Sequence, residues 1–174
     1  MKKKDKKKKS KYNIEPSSRI VNDDDLVDAI EYRVPWKGQA GLASKFYPDE
    51  MIEQLSRNII RVNPKYKGVY FTIEVDGDSM EPDYYAGDIV IGREIKRELW
   101  QYKLHYKDYD FIIAHGTKGI MLKEITDHNV ETGDIICHSL NNEHKDFILN
   151  LHEVSFLYNV VEHRTSGRTK RRNR

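Results

Sequence analysis

The sequence lacks the features that mark secreted, metal-binding and membrane-spanning proteins. Its single cysteine, Cys137, rules out an internal disulfide framework and fits a reducing compartment. No apolar run approaches the roughly 20 residues that a spanning helix needs, and the N-terminal lysines are not followed by the apolar region of a signal peptide. The seven histidines show no metal-ligand spacing such as HExxH. We therefore expect a cytoplasmic protein with no membrane partner, metal or other cofactor.

Acidic residues are scarce at both ends of the chain, although the formal net charge is only +2. Residues Met1 to Tyr12 hold eight lysines and one aspartate, and Arg164 to Arg174 hold six basic residues and no acid. Removing these 14 basic residues and one acid from totals of 30 and 28 leaves 16 and 27, so residues 13–163 carry a net charge of −11. Such basic runs are typical of solvated, disordered tails, and they also attract nucleic-acid phosphates without sequence preference.

A length of 174 residues favours one domain with tails. We assign residues 1–33 to a basic, largely disordered N-terminal tail that contains a short helix. Residues 34–163 form the predicted domain, and residues 164–174 form a basic C-terminal tail. Within the domain, the prolines and glycines of VPWKGQAGLASKFYP, residues 34–48, favour an extended and mobile segment.

Two short helices are predicted in the N-terminal part of the chain. The first, over residues 22–30, starts after a capping Asn22 or Asp23 and has apolar residues spaced for one face. The second, over residues 48–58, starts at Pro48 and has acidic residues in its first turn. Neither is long enough to form a domain of its own.

From residue 69 onward the apolar pattern has a period of two. VYFTIEVD places Val69, Phe71 and Ile73 on one face of a strand. Further short apolar runs follow between turn residues: DIVIGR, DFIIAH, GIMLKEIT, DIICHSL, DFILNL and VSFLYNVVE. About seven strands at this spacing predict a mainly β fold, either a barrel or a folded sheet. The AHGTKGI stretch predicts a tight hairpin with positive φ at Gly116 and Gly119.

A serine follows the first of these strands, in the stretch VDGDSMEPDYYAGDIV, residues 75–90. A turn at a strand end can present Ser79 Oγ as a nucleophile and a neighbouring backbone N–H, that of Met80, as an oxyanion donor. Serine also needs a base, and Lys123 in GIMLKEI is the candidate, because burial in an apolar strand favours the neutral amine. A strand lysine whose ammonium reaches water is the alternative for Lys123. The histidine spacings neither support nor exclude a Ser-His-Asp triad.

The same motifs resemble the peptidase family of LexA, phage repressors and UmuD, whose nucleophile motif runs roughly G-[DM]-S-M-x-P, a spacer, then G-D. GIMLKEI resembles the strand that carries the family's catalytic lysine, QAGLAS resembles its Ala-Gly self-cleavage site, and HSLNNEHKDFIL resembles a later S-x-N segment. The resemblance covers roughly residues 34–162. Gly41 precedes Ser79 by 38 residues and Ser79 precedes Lys123 by 44, an order and spacing similar to those of phage repressors.

This resemblance implies a LexA/signal-peptidase-like folded β-sheet and a reaction of the chain with itself. Lys123 would take the proton of Ser79, whose oxygen attacks the carbonyl of Ala40 and releases Gly41 as an amine. Residues 34–48 would be a tethered substrate. The family further implies a homodimer, activation by RecA filaments and a transcriptional regulator of the SOS class.

Two departures keep alternatives open. Glu124 stands where the family usually has a basic residue, and the residues before Val34 are fewer than a repressor's helix-turn-helix domain needs. Nucleic acid would then be contacted through the basic tails or through a missing upstream domain. The alternatives are a catalytically inactive relative that dimerises or binds a partner, a UmuD-like accessory of a translesion polymerase, and an unrelated all-β binding protein. A signal peptidase shares the serine and lysine but needs a membrane anchor.

Overall fold

The structure, a computed structural model, describes residues 25–33, 53 and 55–166. Its strands are β1 (Val27–Arg33), β2 (Ser56–Val62), β3 (Val69–Glu74), β4 (Ile89–Glu94), β5 (Asp110–His115), β6 (Gly119–Asn129), β7 (Asp134–His138), β8 (Phe147–Asn150) and β9 (Val154–Arg164). Short 3₁₀ helices lie at Pro64–Tyr66, Arg97–Leu99 and Leu151–Glu153. Across these described residues, no helix has the length and apolar character that crossing a membrane requires.

The nine strands of the described residues form one sheet in the order β2-β1-β3-β4-β9-β5-β6-β7-β8. β1 and β3 run parallel, and the other neighbouring strands are antiparallel. The last strand, β9, lies in the middle of the sheet between β4 and β5. It therefore joins the first half of the sheet to the second. The predicted mainly β, folded-sheet architecture is confirmed.

Two apolar clusters pack against alternate residues of the central strands. Ile112 and Ala114 of β5 belong to the first, which we call the proximal cluster, and Phe111 and Ile113 belong to the second, the distal cluster. Successive side chains of a strand point to opposite faces, so the clusters lie on opposite sides of β5. All six residues of β5 are buried. A strand buried on both faces reads as a continuous apolar run, which explains the four apolar residues FIIA at the centre of β5.

The seven strands predicted from short apolar runs are all present, as β3 to β9. The hairpin predicted between DFIIAH and GIMLKEIT joins β5 to β6. Gly119 has a φ of +83°, as predicted. Gly116 is not among the glycines with positive φ, so that part of the prediction is wrong.

The helix predicted over residues 22–30 is wrong, because Val27–Arg33 form β1. β1 pairs with β2 on one side and β3 on the other. Its buried Glu31 accepts a hydrogen bond of 2.6 Å from Thr72 Oγ1 of β3. Pairing with two neighbouring strands outweighs a local capping signal worth about 1 kcal/mol. Residues 27–33 accordingly belong to the sheet and not to the N-terminal tail assigned over residues 1–33.

The helix predicted over residues 48–58 lies mostly outside the described residues. Glu53 is helical, but β2 begins at Ser56, so the predicted helix end at residue 58 is wrong. The segment 34–48 and most of the two basic tails also lie outside the described residues.

The loop between β3 and β4, residues 75–88, is closed at its base by two main-chain hydrogen bonds. Val75 N donates to Asp88 O at 2.8 Å, and Gly87 N donates to Val75 O at 2.9 Å. The two ends of the loop are thereby held side by side, as the strands on either side continue into their own antiparallel pairing. The loop carries Asp78, Ser79 and Met80.

The buried carboxylate of Asp88 connects the two ends of this loop to the end of β9. It accepts hydrogen bonds from Tyr85 N (3.0 Å), Ser166 N (2.9 Å) and His163 Nε2 (2.8 Å). Burial by itself would raise the pKa of Asp88, but the hydrogen bonds from Tyr85, His163 and Ser166 outweigh it and hold the pKa below its ordinary value of 3.8. The folded protein therefore favours the ionised carboxylate.

We expect Asp88→Asn to lower the free energy of unfolding at neutral pH by about 2 kcal/mol. The amide NH₂ of asparagine would face N–H groups whose hydrogen bonds the carboxylate accepts. The folded-state pKa of Asp88 lies below 3.8, so its contribution is present above that pH and is lost as the pH falls through the folded pKa. The difference between wild type and variant should therefore shrink in acid. Urea unfolding across a pH series measures this, with the exposed Asp83→Asn on the same loop as the control. An Asp88→Asn protein as stable as Asp83→Asn would contradict the prediction.

Candidate active site

Ser79 lies in the 75–88 loop, which we call the serine loop, five residues after β3 ends at Glu74. Gly77, two residues earlier, has a φ of +74°, a left-handed conformation that other residues adopt only with strain. Met80, the next residue, is buried and packs into the proximal cluster. Ser79 is thus half-buried between a glycine that turns the chain and a methionine that anchors it.

β6 brings Lys123 to the same place. The Nζ atom of Lys123 lies 2.6 Å from Ser79 Oγ. The side chain is only 8% exposed, and Lys123 pairs with the fully buried Phe111 of β5. The snorkelling alternative would leave the ammonium in water, whereas here it lies against the serine hydroxyl. The two residues singled out in the sequence are in direct contact in the structure.

Burial lowers the pKa of Lys123 below its ordinary value, while negative charge at Cys137 or Asp78 acts in the opposite direction. Cys137 adds little of this opposing charge, because burial raises the pKa of its thiol to about 12 and keeps it neutral. The exposed Asp78 carboxylate is then the main opposing charge. A lysine in this setting releases its proton at a lower pH than a solvated one, and its neutral amine can accept a proton from Ser79.

A cleft of about 210 Å³ opens beside the two side chains. Its walls are residues 73–76 at and just after the end of β3, Ser79 with Met80, and Lys118 with residues 119–123 of β6. Both the serine hydroxyl and the lysine amine are therefore reachable from one cavity. The arrangement can present a nucleophile and a base to a chain segment that enters the cleft.

The remaining predicted site residues differ in how the structure treats them. Ala40 and Gly41 lie outside the described residues. Met80 lines the cleft beside Ser79. The partner of Ser79 Oγ is Lys123, whereas His144, the histidine of the neighbouring loop, contacts Asp78. In the described part of the chain, no group of three or more His, Cys, Asp and Glu residues is placed to hold a metal.

The loop between β7 and β8 also contributes contacts that the sequence did not predict. Asn141 N donates to Ser79 O at 3.1 Å, and His144 Nε2 lies 2.8 Å from Asp78 Oδ1. The resemblance of HSLNNEHKDFIL to a family segment pointed to this stretch of chain. Nothing in its residue pattern, however, indicated that it contacts the serine loop.

The structure thus combines a mainly antiparallel sheet with a serine hydroxyl that contacts a buried lysine amine. A family model described as Peptidase S24-like matches residues 37–161. The match spans more than half of the chain, and the protein belongs to this family, which is that of LexA, UmuD and the phage repressors. The resemblance seen in the sequence is confirmed. A comparison with curated proteins gave no match.

We expect Lys123→Met to raise the free energy of unfolding at neutral pH by about 1 kcal/mol, because it replaces a desolvated ammonium with an apolar chain of similar length. Burial holds the pKa of Lys123 below the unfolded value of 10.5, so the unfolded chain binds this proton more tightly. Wild-type stability should rise with pH between the folded pKa and 10.5, and the advantage of the variant should shrink there.

Urea unfolding at several pH values measures this, and the exposed Lys145→Met is the matched control. Its stability should change by less than about 0.5 kcal/mol. A Lys123→Met protein less stable than wild type at neutral pH would show that burial does not penalise the ammonium.

Proposed function

We propose that the protein is a self-cleaving regulator of the LexA and phage-repressor type, which cuts its own chain between Ala40 and Gly41. The observation that supports this most directly is the 2.6 Å contact between Ser79 Oγ and the buried Lys123 Nζ. A lone serine is a weak nucleophile, and a neutral amine within hydrogen-bond reach is the group that activates it.

The proposed reaction begins when neutral Lys123 takes the hydroxyl proton of Ser79. The serine oxygen bonds to the carbonyl carbon of Ala40, and the tetrahedral intermediate collapses with cleavage of the bond to the Gly41 nitrogen. Lys123 returns the proton to that nitrogen, which leaves as a free amine. Water, deprotonated by Lys123, then hydrolyses the ester between Ala40 and Ser79 and regenerates the serine.

The negative charge that develops on the Ala40 oxygen needs a hydrogen-bond donor. We assign this role to the backbone N–H of Met80, because Met80 follows the nucleophile and is one of the residues that line the cleft. One such donor is worth about 3 kcal/mol of transition-state stabilisation in serine peptidases. A main-chain donor held by a buried side chain is well suited to this, because it does not have to reorganise during the reaction.

The substrate in this proposal is a segment of the same chain, residues 34–48. A tethered substrate converts attack into a unimolecular step, which can supply much of the barrier reduction that binding supplies elsewhere. The small side chains of Ala40 and Gly41 let the backbone approach the nucleophile closely. A site with low catalytic power can therefore support a regulatory cut that takes place once per chain.

The partners follow from the family and are part of the proposal. We propose a homodimer, RecA filaments as the co-protease, and a contact with nucleic acid through the basic runs Met1 to Tyr12 and Arg164 to Arg174. The acidic body between these runs would repel DNA. The cut after Ala40 would separate the first basic run from the peptidase domain. The two basic runs would then no longer bind nucleic acid as parts of one chain.

We expect incubation at alkaline pH to split the full chain into residues 1–40 and 41–174. The rate should rise about tenfold per pH unit until it levels at the pKa of Lys123, because only the neutral amine accepts the proton. That pKa lies below 10.5, so the rate should level below this pH. Intact-mass spectrometry of a time course locates the cut and measures the rate.

Ser79→Ala and Lys123→Ala should each slow this reaction at least about 10³-fold, while the control Ser155→Ala should cleave like wild type. A chain that stays whole at every pH would instead support the inactive relative that uses the fold for dimerisation or partner binding.

We expect RecA filaments on single-stranded DNA to accelerate the same cut near neutral pH. A filament that binds the cleavable arrangement of the chain more tightly shifts the population towards it. Cleavage assays with filament, with RecA alone and with single-stranded DNA alone measure this. If the chain cleaves at alkaline pH but RecA filaments do not accelerate the cut, this regulator responds to a different signal.

A further inference from the structure

The loop between β7 and β8, residues 139–146, reaches across to the serine loop and holds it through three contacts. Asn141 N donates to Ser79 O at 3.1 Å, and Asn141 Nδ2 donates to Asp78 O at 3.3 Å. His144 Nε2 lies 2.8 Å from Asp78 Oδ1. All three end on two consecutive residues, and one ends on the carbonyl of the serine itself.

The β7–β8 loop is also ordered internally around Asn141. Asn141 Oδ1 accepts a hydrogen bond from Glu143 N at 3.0 Å, and Asn141 O accepts one from His144 N at 3.0 Å. These bonds fix where Asn141 and His144 stand relative to each other. The loop therefore meets the serine loop as a preformed turn.

The contact to the Ser79 carbonyl has a consequence for the neighbouring N–H. The carbonyl of Ser79 and the N–H of Met80 belong to one planar peptide unit. The cis peptide bond of the described residues is Glu81–Pro82, so the Ser79–Met80 unit is trans. In a trans unit the C=O and N–H point in opposite directions. Holding Ser79 O against Asn141 therefore aims the Met80 N–H away from the β7–β8 loop.

We propose that Asn141 and His144 are positioning residues that orient the Ser79–Met80 peptide unit, and with it the oxyanion donor. The catalytic value of this orientation rests on the proposed self-cleavage. Neither side chain touches the reacting atoms. The two side chains act through Asp78, and the main-chain N–H of Asn141 acts on the Ser79 carbonyl. On the other side of this peptide unit, Met80 is fixed because its side chain is buried in the proximal cluster.

The chain supplies a matched control for this inference. His138 Nδ1 lies 2.6 Å from Asp146 Oδ1, a second His–Asp pair at the two ends of the same loop. The side chains of both pairs are about equally exposed, at 32% and 51% here against 43% and 58% for His144 and Asp78. The His138 pair closes the β7–β8 loop on itself and does not reach the serine loop. Its loss should disturb the loop without releasing Ser79.

The test compares full-length variants by their cleavage rate after Ala40 at alkaline pH. His144→Ala should cleave about threefold more slowly than wild type, and Asn141→Ala/His144→Ala about tenfold more slowly, as expected for exposed hydrogen bonds. His144→Gln, which can place an amide donor near the original Nε2, should return to within about twofold of wild type. His138→Ala should cleave at the wild-type rate.

A second readout does not depend on cleavage. In amide NMR spectra, His144→Ala should shift the resonances of Ser79 and Met80, whereas His138→Ala should leave them in place. A His144→Ala protein with the cleavage rate and the Met80 resonance of His138→Ala would overturn the inference, as would failure of His144→Gln to recover. If wild type itself does not cleave, the proposed function fails, and the Met80 resonance alone decides whether the β7–β8 loop orients this peptide unit.

Discussion

Keeping one lysine amine out of water is the constraint on which the site depends. Lys123 is buried where β6 passes the serine loop, and its Nζ atom lies against a hydroxyl instead of a carboxylate. An ion pair in this position would stabilise the charged form and remove its use as a base. The neighbouring Cys137 thiol is kept neutral by the same burial, so it does not restore the charge.

The serine loop is held from several directions, which suits a nucleophile that must stay within hydrogen-bond reach of its base. At its base, Asp88 ties the loop to His163 and to Ser166 beyond β9. Next to the serine, the Met80 side chain is buried in the proximal cluster. Because β9 also lies between β4 and β5, the strand that anchors the loop is the strand that joins the two halves of the sheet.

These constraints compete with stability. A desolvated ammonium destabilises the folded state, and the structure offsets this through the packing of both clusters around the central strands. Functional sites commonly hold groups that the fold would be more stable without. In this protein the desolvated ammonium belongs to one side chain of β6, a strand that pairs with β5 on one side and β7 on the other.

Much of the fold could be read from the sequence. The period-two runs predicted β3 to β9, and the order of Gly41, Ser79 and Lys123 identified the family, because strand alternation and motif order are local properties of the chain. The sequence did not predict β1, since its capping residues favour a helix until the pairing with β2 and β3 decides otherwise. It also did not predict the contacts of Asn141 and His144 with Asp78 of the serine loop, more than 60 residues away in the sequence. Residue types and their order thus determined which groups the protein can use. The tertiary structure alone decided that Lys123 is buried and within 2.6 Å of Ser79, because burial and contact depend on how distant strands pack together.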